Sequence, residues 1–268
     1  MIDQPIGIIG GSGIYSLLEN SESNMVTTSF GNPSSVVQSG IISGKRVHFI
    51  ARHGLNHEFP PHKINYRANI QALYELGVRK IIATHAVGSL NSLMVPGDFV
   101  LSNQFVNRTW GRHDTFFDGP ETVHISTSDP FCCELRSLMK ESLISGGYRH
   151  HNEAVMLVIQ GPRFNTRAEN RIYYNEGNDV ISMTGYPEAV LARERGICYM
   201  SLGIVTDLAC VMNSSDHPEM PSSHEDVVNN SNASFLKITD VLKISLDKFE
   251  TKNLKCTCID SLKGAYVE

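Results

Sequence analysis

The sequence predicts an α/β fold: one domain with a twisted, mostly parallel or mixed central sheet flanked by helices. Three observations carry this. Apolar or alternating runs of strand length recur along the chain, amphipathic segments of helix length separate them, and several strands run directly into polar or glycine-bearing turns. A chain of 268 residues buries a sizeable core in one such domain. We expect residues 1–268 to form it, with 211–226 a mobile loop and 227–268 a C-terminal helix and tail. The loop rests on "NSSDHPEMPSSHED" (213–226), the one linker-like stretch.

The elements follow in order. "IGII" (6–9) is a buried strand that delivers the chain into Gly10-Gly11-Ser12-Gly13. "RVHFIAR" (46–52) alternates as a strand. "YRANIQALYELGV" (66–78) places Ile70, Leu73 and Leu76 on a helical face and stops at Gly77. "KIIATHAVGSL" (80–90) is again a strand. "GDFVLSNQFV", a helix near 130–145, "AVMLVIQGPRF" and a helix near 166–176 come next. "DVISMTGYPEAVLARERG", "CYMSLGIVTDLA" and a helix around 225–250 complete the pattern.

Composition removes several classes. Hydrophobic residues at 41% and charged residues at 19% exclude a disordered chain. A net charge of −5 argues against a general nucleic-acid surface, which needs a basic stripe. The apolar runs are too short to cross a bilayer, and "MIDQPIGIIGG" lacks the basic and apolar regions of an export signal. We therefore expect a cytoplasmic protein without nucleic-acid or membrane partners. Its six cysteines read as mostly buried thiols. Cys198 and Cys210 sit in apolar runs, and Cys132-Cys133 is too irregular for a zinc pair. Cys256-Thr257-Cys258 reads as two incidental thiols, a strained local disulfide or a thiol-exchange site.

In sheets of this class ligands sit at the carboxyl ends of strands. Six turns are therefore candidates for one pocket: Gly10–Gly13, Arg52–Gly54, Thr84–Gly88, Gly161–Phe164, Met183–Gly185 and Thr206–Asp207. The glycine turn is neither a dinucleotide fingerprint nor a P-loop. It reads equally as structure or as an anion cradle of backbone N–H groups and a hydroxyl. "ARHGLNHEFPPH" (51–62) gathers Arg52, His53, His57 and His62. Pro60-Pro61 breaks the helix that a paired-histidine zinc site requires, so an anion clamp at Arg52-His53 is the better reading, and no metal is expected. Asp207 at a strand end is either a ligand contact or a helix N-cap.

"GIIGGSGIY", "ARHGLNHEFPPHKINYRANIQAL", "GSLN…PGDFVLSNQFVNRT", "FFDG", "IQGPRFNTRAE", "MTGYPEAVLARERGICY" and "VTDLA" together resemble the purine nucleoside phosphorylases, the methylthioadenosine phosphorylase branch above all. The match runs in unbroken order from about residue 6 to 210 and is weak beyond. It implies a nucleoside phosphorylase-like fold, a homotrimer or homohexamer, and reversible phosphorolysis in purine salvage. A purine nucleoside and inorganic phosphate give free purine and a ribose 1-phosphate, with phosphate as co-substrate and no cofactor.

The same resemblance assigns residues. Arg52, His53, Ser12, His85, Ala86 and Thr184 would hold phosphate, and Arg52, His53 and Asp207 would carry the chemistry. Met183 would pack on the ribose, and Phe164 and Asn165 would lie by the base, with Asp207 on its edge. A protonated Asp207 would donate near N7; an ionised one would accept from an exocyclic amine. His57 and His124 resemble residues on the sugar's 5′ side, the second reaching in from a neighbouring subunit.

Three positions depart from the family pattern. His85 replaces a small polar residue and implies a crowded or additionally charged phosphate loop. Ala209 replaces a second aspartate, which weakens selection for a 6-amino base. Asn230 stands in an apolar 5′ pocket and favours a hydroxyl there. The alternatives are a strict S-methyl-5′-thioadenosine phosphorylase, a nucleoside hydrolase that leaves Arg52-His53 without a role, and a non-catalytic nucleoside-binding protein. Arg52→Ala is expected to remove phosphate binding and leave the fold intact.

Overall fold

The run "IGII" enters the structure as β1 (Ile6–Gly10), buried at all five positions. The computed structural model describes residues 4–209, 224–249 and 255–267; residues 211–223 of the expected loop lie outside these. β1 sits between β4 (Lys45–Ala51) and β5 (Lys80–Ser89) and runs parallel to both, with Gly10 opposite Ala51 and Ile9 opposite Ala83. Beyond β4, β3 (Val37–Ile42) and β2 (Glu19–Asn24) extend the sheet in antiparallel fashion.

β5 is the pivot. Its first half bonds β1, while Gly88 and Ser89 near its end bond β10 (Val180–Ser182) antiparallel. Along its other edge runs β11 (Cys198–Leu208), parallel. β9 (Val155–Ile159) and β7 (Gln104–Arg108) follow β10. β6 (Phe99–Leu101) pairs β11 and carries β8 (His150–His151). All eleven described strands belong to one mixed sheet. The register between β11 and β5 slips between Val205 and Asp207, so Asp207 stands opposite Gly88. Such a bulge re-aims a side chain, and here it sets the angle of Asp207.

Alternation along the strands feeds two cores, because successive side chains point to opposite faces. Ile9 and Ile50 join Ile70 and Leu73 of α1 (Tyr66–Glu75) and Leu191 of α4 (Glu188–Glu194). Ile8 and Phe49 join Leu138 and Leu143 of α2 (Cys133–Ser145) and Val241 and Leu246 of α5 (His224–Phe249). α3 (Arg167–Asn175) starts at a capping box in which Thr166 and Glu169 satisfy each other's backbone N–H groups. α1 ends at Glu75 with Leu76 as its cap, and Gly77 at φ +84° turns the chain out of the helix, the stop that its pattern suggests.

Candidate active site

All six turns line one cavity of about 1040 Å³. Its floor at the glycine turn opens a 3-10 turn, Ser12–Leu17, whose N-terminus carries no side-chain cap. Gly13 lies against the Phe235 ring of α5: a methyl group there would stand 2.8 Å from it. Phe235 and Ile238 bring α5 into the cavity wall beside Ile14.

Arg52 is buried, and its guanidinium is almost fully committed. Nε and Nη2 donate to the two oxygens of Glu188 at 2.5 and 3.0 Å, Nη1 donates to the Thr84 carbonyl at 2.7 Å, and Nη2 reaches the Ile9 carbonyl at 3.5 Å. Burial opposes the Arg52 charge, but Glu188 outweighs it and holds the guanidinium firmly protonated. One Nη1–H of the five donors remains for a ligand.

The expectation that Arg52→Ala leaves the fold intact is therefore corrected. That change leaves Glu188 buried and unpaired, the costly way to break an ion pair.

The protons of the adjoining network follow from its partners. Tyr199 donates its hydroxyl to Glu188 at 2.8 Å, so its oxygen accepts from His85 Nε2–H at 3.4 Å. Burial first, then Arg52 and His53, holds the His85 pKa well below the usual range, so the ring is neutral. Its Nδ1 then accepts from the Thr184 hydroxyl at 3.0 Å. This corrects the expectation of extra charge in the phosphate loop: His85 is buried, neutral and bonded through both nitrogens.

His53 Nδ1 donates to the Phe59 carbonyl at 2.9 Å, which leaves Nε2 as a lone-pair acceptor. Burial, with the nearby Arg52 and His57 charges, lowers its pKa to about 4 against the pull of Phe59. His57 stacks on it with ring centroids 4.4 Å apart, from a left-handed backbone at φ +61°.

The opposite end is more open. Asp207 is half-buried, and its Oδ1 accepts from Thr206 Oγ1 at 2.8 Å. A methyl group on Gly88 would lie 3.2 Å from Asp207 Oδ2 and 3.4 Å from Ala209 Cβ, so glycine keeps this approach clear. Asn170 donates to the Ala209 carbonyl, and Asn165 donates to Asn170 at 3.0 Å. Phe164 is 41% exposed at the rim.

The structure thus brings Arg52, His53, His57, His85, Ala86, Phe164, Asn165, Met183, Thr184, Asp207 and Ala209 onto one cavity. His124 does not line it; its backbone N–H donates to the Ala265 carbonyl at 2.8 Å. The side chains of Ser12 and Asn230 lie outside the described residues, although the neighbours Gly11 and Gly13 line the cavity.

A family model described as the phosphorylase superfamily matches residues 5–244. The chain belongs to the phosphorylase superfamily. An S-methyl-5′-thioadenosine phosphorylase of Pyrococcus abyssi is 44% identical over 98% of this chain and 99% of its own. A 6-oxopurine nucleoside phosphorylase of Pyrococcus furiosus is 42% identical over 97% of this chain and 98% of its own. A solved methylthioadenosine phosphorylase from Schistosoma mansoni, in complex with adenine, superposes with a TM-score of 0.90 at 33% identity, over 97% of this chain and 96% of that one.

In this phosphorylase, sequence reasoning missed Glu188, Tyr199, Arg112 and Asn170. Glu188 looks like an ordinary first-turn helix glutamate, and only the fold reveals that it is fully buried. Arg112 gathers the cavity's loops by donating to the carbonyls of Gln160, Met183 and Tyr186 at 3.0, 3.0 and 2.6 Å. A weak signal existed for Glu188: a carboxylate directly before the apolar "AVLA" has to find a cation if that turn is buried.

Proposed function

We propose that the protein is a purine nucleoside phosphorylase that transfers the pentose of a nucleoside, with a hydroxyl or methylthio group at 5′, to inorganic phosphate. The observation that carries this reading is the two-ended cavity, with buried donors at Arg52 and an open carboxylate at Asp207. A phosphate beneath C1′ and a purine at Asp207 fill the two ends. The relatives' names, divided between methylthioadenosine and 6-oxopurine nucleosides, support the class and both kinds of base.

The roles follow from the bonds each side chain has left. The free Nη1–H of Arg52, the glycine turn with Ser12, and Ala86 face phosphate. Dianionic phosphate carries one P–O–H, which donates to the His53 Nε2 lone pair. As phosphate attacks C1′, the C1′–O bond forms, the C1′–N bond breaks and its electrons stay on the purine. The new sugar phosphate keeps its P–O–H on His53 Nε2 and gives that proton up to solvent on release. The purine takes up one proton from solvent at the accessible Asp207 end, so His53 stays neutral throughout. Developing charge on the sugar is met by a fixed phosphate, an electrostatic and positional advantage.

Thr184 reaches the same anion through a one-step shift of its network. Its O–H turns from His85 Nδ1 to phosphate, while His85 keeps its Nε2–H on Tyr199 and the Tyr199 hydroxyl stays on Glu188. His85 is thus a positioning residue. Met183 packs on the ribose and Phe164 and Asn165 lie by the base. Ala209 offers no polar partner, so 6-oxo and 6-amino purines are both accepted. The apolar wall of Phe235 and Ile238 receives the 5′ substituent together with His57 and residue 230. In a homotrimer or homohexamer, His124 serves a neighbour's cavity, consistent with its position off its own. The one continuous sheet supports a single domain over 1–268, and phosphate is the only co-substrate required. None of the described helices is long and apolar enough to cross a membrane, and we place the protein in the cytoplasm.

The test is purine release from inosine, guanosine, adenosine and their 5′-methylthio forms, with and without phosphate. Phosphate-dependent release with equimolar pentose 1-phosphate is expected. Release without phosphate means hydrolysis; binding without turnover means a nucleoside-binding protein.

A further inference from the structure

Away from the cavity, four cysteines from three separate parts of the chain meet. The sulfurs of Cys132, Cys198, Cys256 and Cys258 all lie within 4.8 Å of one another, and those of Cys198 and Cys256 are 3.3 Å apart. We propose that they form a tetrathiolate site for a thiophilic cation, zinc above all, that fastens segment 255–267 to the core. Zinc holds four sulfurs tetrahedrally at about 2.3 Å, which sets them roughly 3.8 Å apart. The observed separations fit that spacing without rearrangement of the backbone.

Each ligand is held independently. Cys132 precedes α2 and donates its N–H to the Tyr199 carbonyl at 2.8 Å, and Cys198 opens β11 with its N–H on the Arg79 carbonyl at 3.0 Å. Cys258 opens a 3-10 turn, and Cys256 lies two residues before it. Cys132, Cys198 and Cys258 are buried and Cys256 is half-buried, which keeps water from competing. An all-sulfur set selects soft ions over magnesium or calcium. Cys133, next in the chain, is exposed and outside the cluster, so it is an internal control. The site is structural: it ties the tail to the start of β11, whose far end carries Asp207.

The experiment uses the full chain, reduced and freed of metal under anaerobic conditions, and titrated with cobalt(II). One equivalent per chain is expected to give the visible bands of tetrahedral cobalt and sulfur-to-cobalt charge transfer, both abolished by zinc. Zinc should raise the melting temperature by mass action. Cys133→Ser keeps these responses and Cys258→Ser loses them. If Cys258→Ser does not fold, the parent chain decides alone. A reduced parent that gives no tetrahedral cobalt spectrum, or a spectrum unchanged in folded Cys258→Ser, overturns the proposal. So does a purified chain whose four cysteines are paired as disulfides and whose reduced form takes up no cobalt.

Discussion

The two ends of the cavity are built on opposite plans. At the Arg52 end, Arg52, Glu188, His85, Tyr199 and Thr184 are buried and bonded in one continuous chain. At the Asp207 end, Phe164 is 41% exposed, Asp207 is half-buried, and Gly88 faces both Asp207 and the methyl group of Ala209. The difference fits the division of labour. The phosphate end meets the same anion in every turnover and benefits from dipoles fixed before it arrives. The base end meets substrates that vary, and its contacts can change without disturbing the core.

The sharpest way to break this contrast is to remove one half of the ion pair. Glu188→Ala leaves the Arg52 charge buried and unpaired and should lower unfolding free energy by about 3–5 kcal/mol, read by denaturant melts. Replacing both residues, Arg52→Met with Glu188→Leu, should recover much of that stability but no phosphate-dependent turnover. Recovery of turnover would show that the pair is scaffold alone.

The second prediction concerns acid. Unfolded histidines bind protons below about 6.5, whereas His53 in the folded chain resists until about 4, and His85 is lowered further by burial. The unfolded state therefore holds more protons in that window, and stability falls as pH drops from about 6.5 towards 4. For His53 the loss is on the order of 2 kcal/mol after allowance for its partial exposure. A melting temperature unchanged between neutral pH and about pH 5 contradicts the neutral state of His53 and His85.

Smaller effects sharpen the comparison. His85→Ala removes the partner that orients Thr184 and should raise the phosphate KM roughly tenfold, with less change in the nucleoside KM, by the loss of about one hydrogen bond. Equal changes in both constants would make His85 merely structural. Ala209→Asp should shift the kcat/KM ratio towards adenosine-type over inosine-type substrates by about 1–2 kcal/mol and leave stability nearly unchanged. A parent enzyme that already rejects inosine by several orders of magnitude contradicts the reading of Ala209.

The six cavity turns were legible because each is a contiguous run in which an apolar strand gives way to glycine or polar residues. Their partners were not. Arg52 and Glu188 are 136 residues apart, and nothing local in "YPEAVLARE" says that its glutamate meets an arginine across the sheet. The expectation of extra charge at His85 failed because sequence shows a basic residue but not its burial. Strands β2 and β3 fell in a stretch without clear apolar alternation: β2 is "ENSESN", exposed or half-exposed throughout. That the four sulfurs meet was not legible, because positions 132, 198, 256 and 258 share no spacing motif beyond Cys-x-Cys.

The central claim is that the Arg52 end holds phosphate as the nucleophile. The direct measurement is turnover of inosine or 5′-methylthioadenosine with phosphate labelled by oxygen-18 on every oxygen, followed by mass analysis of the sugar product. Attack by bound phosphate at C1′ predicts a pentose 1-phosphate that keeps all the label, in a quantity equal to the purine released. Free pentose with unconsumed labelled phosphate would contradict it.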